Sequence, residues 1–298
     1  FRRVLFRSVG LSNWHVHRES IFAESGGQVP DRWATVKADG GVLGVVGNKY
    51  VIIQPEETFA FADAIVDDGK GLWERAGSLR DGSVIFGCLE LTESEIRVPG
   101  DESPVKPYLL IVNSYDGSTP FEGVLTMVRP VCTNTFNMAR GTDTPYRFRI
   151  RHTATLHGKV QMAREALALS FTHLTEAGET MRVLAGTKVS DEQVLDIFRK
   201  RVWPMKDSIL DSDALTENHA STQAFQNYLT SPTIDGIRGT AWGAFNAVTE
   251  YTNHLQDYRR NGSADPEKDA VEARSEAVLF GTGQQRVGAA LDSLLRLA

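Results

Sequence analysis

Residues Trp73–Leu91 read WERAGSLRDGSVIFGCLEL. Two runs rich in apolar residues, Trp73–Leu79 and Val84–Leu91, flank Arg80-Asp81-Gly82-Ser83. An Asp-Gly pair readily takes the positive φ angles of a tight reversal, so the stretch predicts a β-hairpin. The same signal recurs on both sides. Tyr108–Ser114 and Val124–Val131 flank Asp116-Gly117-Ser118, and Trp33–Lys37 and Val42–Val46 flank Ala38-Asp39-Gly40-Gly41. Tyr50–Gln54 is β-branched and apolar enough to read as extended chain, and Arg147–Thr155 reads as one more strand. Short turns join antiparallel neighbours, so the sheet is expected to be largely antiparallel. One short helix interrupts it. Pro55 suits the first helical position, Glu56 and Glu57 suit the positive end of the dipole, and Phe59, Ala62, Ile65 and Val66 share a face before Asp67-Asp68-Gly69.

After Leu156 the apolar spacing changes to three and four. Val160, Ala163, Leu167 and Leu174 follow it. Ser190-Asp191-Glu192-Gln193 has capping-box form and predicts a helix through Arg201, which Trp203-Pro204 ends. Asp207–Leu229 is a more polar helical stretch. Thr240–Arg259 carries Trp242, Phe245, Val248, Tyr251 and Leu255 on one stripe, and Ala270–Leu297 is helical around Gly281-Thr282-Gly283. Strands followed by helices give the class α+β, with a largely antiparallel sheet in the N-terminal half and a helical C-terminal half. The expected division is 9–155 and 156–298.

The composition narrows the function classes. At 298 residues the chain has room for one large domain or two ordinary ones. A hydrophobic share of 41% and a charged share of 23% exclude a disordered chain. A net charge of -6 excludes an overall basic coat but leaves room for a local basic patch. Cys88 and Cys132 are the only cysteines, which argues against a disulfide framework or a cysteine zinc site and for a reducing cytoplasm. No apolar run reaches the roughly 20 residues of a membrane span. Phe1–Ser8, FRRVLFRS, is the translation of TTC AGA CGT GTG CTC TTC CGA TCT, a frame through a common sequencing-library adapter. The segment is therefore expected to be adapter-derived and is set aside.

Five stretches carry a resemblance. They are LGVVGNKYVIIQPEETFAFADAIV (Leu43–Val66), AGSLRDGSVIFGCLEL (Ala76–Leu91), LLIVNSYDGSTPFEGVLTMVRPVCTNTFNMA (Leu109–Ala139), RIRHTATLHGKV (Arg149–Val160) and GTAWGAFNAVTEYTNH (Gly239–His254). Together they resemble the phage- and plasmid-like proteins grouped as domain of unknown function 932, over Trp14–Tyr258. The resemblance implies a mobile-element setting and a cytoplasmic location. It brings no established catalytic residue.

The most suggestive chemistry is Arg147-Phe148-Arg149-Ile150-Arg151-His152. On a strand, alternate side chains face opposite ways, so the three arginines would line one face, roughly 7 Å apart, near the phosphate repeat of an extended strand. Arg129, Lys159 and Arg164 could extend that face. The plain alternative is a strand face paired with carboxylates of a neighbouring strand. Cys132, between a strand and Phe136-Asn137, could be a nucleophile near His152 or His157, but a buried Cys beside a helix cap needs no chemistry. Asp116 with Glu90, Asp101 or Glu122 could hold Mg²⁺, although hairpin tips favour Asp-Gly for backbone reasons alone. His15-Val16-His17 lacks a third metal ligand, Gly44-Val45-Val46-Gly47-Asn48 is too poor in glycine for a nucleotide fingerprint, and Ser114 and Ser170 lack a nucleophile elbow. No cofactor is expected. Trp242, Phe245 and Tyr251 suit a core or an oligomer interface, with base stacking as the sharper alternative.

These readings lead to a non-enzymatic nucleic-acid-binding protein, with Arg129, Arg147, Arg149, Arg151, His152, Lys159 and Arg164 as its contacts. Single-stranded DNA is the expected partner, in recombination, annealing or mobile-element establishment. A second copy of the chain or a host protein would be a further partner. The alternatives are a metal-dependent nuclease and a protein-binding modulator of host defence.

Overall fold

The computed structural model describes residues 14–60, 62–67, 69–92, 95–129, 134–137, 147–154, 173–206, 213–258 and 266–298. β1 (Val16–Phe22), β2 (Gln28–Lys37) and β3 (Val42–Gly47) form a small antiparallel sheet in that order. The β2–β3 pair follows the Ala38–Gly41 turn signal. β1 carries polar residues at its centre and gives a weak strand pattern, as an edge strand can. Tyr50–Gln54 forms no strand. Its polar groups find other partners: Gln54 accepts from Val16 N at 2.9 Å and donates to Val16 O at 2.8 Å, while Val51 N donates to His152 O. Two short helices follow, α1 (Pro55–Ala60) and α2 (Asp63–Asp67), with Glu57 accepting from Gln54 N at the start of α1.

The larger sheet has β4 (Gly71–Leu79), β5 (Val84–Leu91), β6 (Lys106–Ser114), β7 (Phe121–Arg129) and β8 (Asn134–Asn137) along one path, and β9 (Arg147–Ile150) pairs with β7. In the β4–β5 hairpin, Leu79 pairs directly with Val84, so the turn has four residues rather than two. Arg80, Asp81 and Gly82 all take positive φ, at 52°, 53° and 99°. Two non-glycine residues in that region carry strain. Arg80 is held in place by the neighbouring hairpin tip, donating to Ser118 Oγ at 2.9 Å with Asp116 at 3.9 Å. The small sheet is tied to the same tips: Thr35 donates to Tyr115 O and Ser83 donates to Leu43 O.

The helical part comprises α3 (His173–Gly186), α4 (Asp191–Ile197), α5 (Asp213–Asn218), α6 (Ala220–Thr230), α7 (Ala241–Glu250), α8 (Pro266–Phe280) and α9 (Thr282–Leu295). The Ser190–Gln193 capping box is present, and α4 widens into a π turn over Phe198–Val202 before Trp203 ends it. Every residue from Ala241 to Thr249 is buried, as expected of a helix surrounded by other elements. Trp242 and Phe245 are fully buried and stack on each other at 5.8 Å, and Trp242 Nε1 donates to Asp101 Oδ2 at 2.8 Å. The stripe is core, and stacking of bases on these rings is ruled out by their burial.

The described residues fall into two compact units. One takes residues up to 94 with 107–126 and 139–173, and the other takes 95–106, 127–138 and 174–298. The helical unit thus includes two segments that precede residue 155. No helix among the described residues is long and apolar enough to cross a membrane. The class is α+β, with antiparallel sheets in the N-terminal half and helices in the C-terminal half.

Candidate nucleic-acid interface

The arginine strand is β9, and its register against β7 decides its electrostatics. Phe121 faces Ile150, Glu122 faces Arg149, Gly123 faces Phe148 and Val124 faces Arg147. Directly opposed and diagonal residues of an antiparallel pair share a face, which places Glu122 beside both arginines. Glu122 Oε1 lies 3.1 Å from Arg147 Nε, and Oε2 lies 2.9 Å from Arg149 Nε. On the other face, the Phe148 ring lies so close over Gly123 that an added Cβ would fall 2.0 Å from it, so only glycine fits opposite that ring. Phe148 also packs on Phe121 at 5.5 Å, and Ile150 is buried. The alternation expected of this strand is therefore present over β9.

The strand does not present a uniform cationic row. Glu122 is 4% exposed, Arg147 12% and Arg149 39%. Burial pushes the Glu122 carboxyl up, against the downward pull of the Arg147 and Arg149 guanidiniums. Arg147 is therefore largely a structural partner of that carboxylate. Arg149 reaches Glu122 through Nε, which leaves its Nη groups unengaged by any described residue. Arg151 follows the strand end and is exposed. Arg149 and Arg151 are thus the exposed guanidiniums of this segment.

His152 is turned inward. It is 6% exposed, its Nδ1–H donates to Val51 O at 2.9 Å, and its ring stacks on Tyr50 at 4.5 Å. Burial holds its pKa below the usual imidazole range, although the Val51 hydrogen bond pulls the other way. A neutral, enclosed imidazole cannot meet a phosphate, so His152 is removed from the contact set. Arg129 is the last residue of β7. Lys159 and Arg164 lie outside the described residues, as do Cys132, His157 and Ser170. Burial pushes the Cys88 thiol up to about 12, away from thiolate chemistry.

The acids considered for a metal each serve another partner. Asp116 Oδ1 accepts from Ser118 N at 2.9 Å, an ordinary turn contact, and Asp101 accepts from Trp242. Glu122 is held by the two arginines, and Glu90 accepts from the Tyr108 hydroxyl at 3.3 Å. Among the described residues no three His, Cys, Asp or Glu side chains gather as a metal site requires. Ser114 Oγ donates to Thr119 O and accepts from Thr119 N, closing its hairpin.

The family model described as Domain of unknown function (DUF932) matches residues 42–277. The chain belongs to this family. No curated protein and no solved structure matches it. The DUF932 match runs from β3 into α8 and so includes the β7–β9 ladder.

Proposed function

We propose that this DUF932 protein binds nucleic acid, single-stranded DNA first, in the recombination, annealing or establishment of a mobile element. The observation that carries the reading is a pair of exposed guanidiniums at the end of β9: Arg149, 39% exposed and fixed at Nε by a buried carboxylate, stands two residues from the exposed Arg151. Fixing a guanidinium before it meets a phosphate lowers the entropy lost on binding. The aromatic stripe of α7 takes no part, so affinity would rest on phosphates and be strongly salt-dependent.

The test is binding of a labelled single-stranded oligonucleotide at several salt concentrations. Wild type is expected to bind with a steep negative salt dependence. Arg149→Ala/Arg151→Ala should still unfold in one cooperative transition, while its log–log salt slope becomes shallower by about 1.4, at roughly 0.7 for each phosphate no longer neutralised. Absence of wild-type binding at low salt, or an unchanged slope in the double variant, overturns the proposal.

A further inference from the structure

The helical unit holds a cleft of about 530 Å³, lined in part by Arg201, Trp203, His219, Thr282, Gln285 and Arg286. Among the described residues no Asp or Glu lines it. Two helices begin at its wall. Residues His219 and Ala220 open α6, and Thr282 opens α9. Each is long enough to carry a dipole, and each presents its positive end there. Gly281, at the N-cap of α9, provides no side chain to satisfy the first amides.

The side chains add donors and no acceptor of opposite charge. Arg201 is exposed, and neither Arg201 nor Arg286 pairs with a carboxylate of the described residues. Arg286 lies over the Trp203 ring, 5.9 Å from its centroid, and interacts with the Tyr258 hydroxyl, while its Nη1 meets no acceptor among the described residues. Trp203 is 4% exposed and is wedged edge-on by Phe198 and Tyr251, at 5.8 and 5.3 Å. Among the described residues its Nε1–H has no acceptor, and neither has the buried Nε of Arg199 one turn away. Buried donors left unmatched are rare and costly, and here they occur beside a cavity. His219 Nδ1 accepts from Ser221 N at 3.3 Å, so Nε2 carries the proton and is one more donor.

We propose that this cleft is a binding site for a phosphate monoester carried on a group of nucleoside size. Two guanidiniums suit phosphate oxygens, and two helix N-termini favour the same charge. The volume lies within the range of small-molecule sites and exceeds what a bare phosphate fills. The ester has two sources, a free mononucleotide or the 5′-phosphate end of a strand. This site does not depend on the β9 reading, because it shares no residue with it.

Calorimetry would use adenosine 5′-monophosphate and adenosine as probes. Polarisation would compare one oligonucleotide with a 5′-phosphate or a 5′-hydroxyl. Wild type is expected to bind the monophosphate and not adenosine, or to bind the phosphorylated strand end more tightly than the hydroxyl end. The first result assigns a free nucleotide and the second a strand terminus. Arg201→Gln/Arg286→Gln should weaken the phosphate-dependent part by about tenfold or more. Arg201→Gln alone, on an exposed residue, serves if the double variant unfolds. Equal binding of the paired probes, no binding of any of them, or full affinity in the Arg201 variants overturns the assignment.

Discussion

On the β7–β9 ladder two guanidiniums share one buried carboxylate. At the N-termini of α6 and α9, Arg199, Arg201 and Arg286 share none among the described residues. In the first region Arg147 and Arg149 have a counter-charge within the fold, and most of Arg147 is taken up in holding Glu122. In the second the charge is left for something outside the fold to balance. A cation that already has its carboxylate is chiefly structural. A group of cations without one repels itself until an anion arrives.

The largest effect should come from removing the carboxylate. Glu122→Ala takes the Glu122 carboxylate from the half-buried Arg147, and breaking such a pair costs about 3 kcal/mol or more. Arg201→Gln removes an unbalanced charge and should change stability by no more than about 0.5 kcal/mol. Denaturant unfolding of the two variants checks the contrast. A mild Glu122→Ala together with a severe Arg201→Gln would reverse the roles assigned to the two regions.

The contrast also separates what is legible in the chain from what is not. Local chemistry is legible. Asp81-Gly82 places the first hairpin, Ser190 and Gln193 place a capping box, and Pro204 marks a helix end. Periodicity places Phe148 and Ile150 opposite the arginines. The identity of the carboxylate is not legible, because Glu122 meets Arg149 through a strand register set by residues far apart in sequence. Nothing near His152 signals that it closes on Val51, a residue 101 positions away. The cleft is hidden for the same reason. Arg201, His219 and Arg286 lie on separate elements, and each alone reads as an ordinary surface residue. The one sequence signal is negative: no acid stands next to Arg199-Lys200-Arg201 before Asp207 on one side or Asp196 on the other.

A medium effect separates two buried indoles. Trp242 Nε1 has Asp101 as its acceptor, whereas Trp203 Nε1 has none among the described residues. Asp101→Ala should cost about 1–3 kcal/mol, because a buried donor is left unmatched. Trp203→Phe keeps much of the apolar bulk and loses no hydrogen bond, so it should cost less, about 1.5 kcal/mol at most. Thermal unfolding reads both. If Trp203→Phe proves the more damaging, the indole N–H has a partner within the fold and the case for a ligand at that wall weakens.

The smallest effect is carried by two histidines. Burial lowers the pKa of both His152 and His219, and Arg199 adds to the lowering at His219. A histidine with a depressed folded pKa binds fewer protons when folded than when unfolded. Stability is therefore lost as pH falls from the unfolded value of about 6.5 through the folded one. His152 and His219 should both contribute to that slope in the free protein. They should part when the cleft is filled. A phosphate favours imidazolium, so adenosine 5′-monophosphate should move the His219 titration upward, and binding should tighten as pH falls toward about 6. His152, sealed between Tyr50 and Val51, should titrate as before. Histidine proton NMR with and without the nucleotide follows each ring separately. Movement of His152 alone would mean that the anion is read by the sheet unit and not by the cleft.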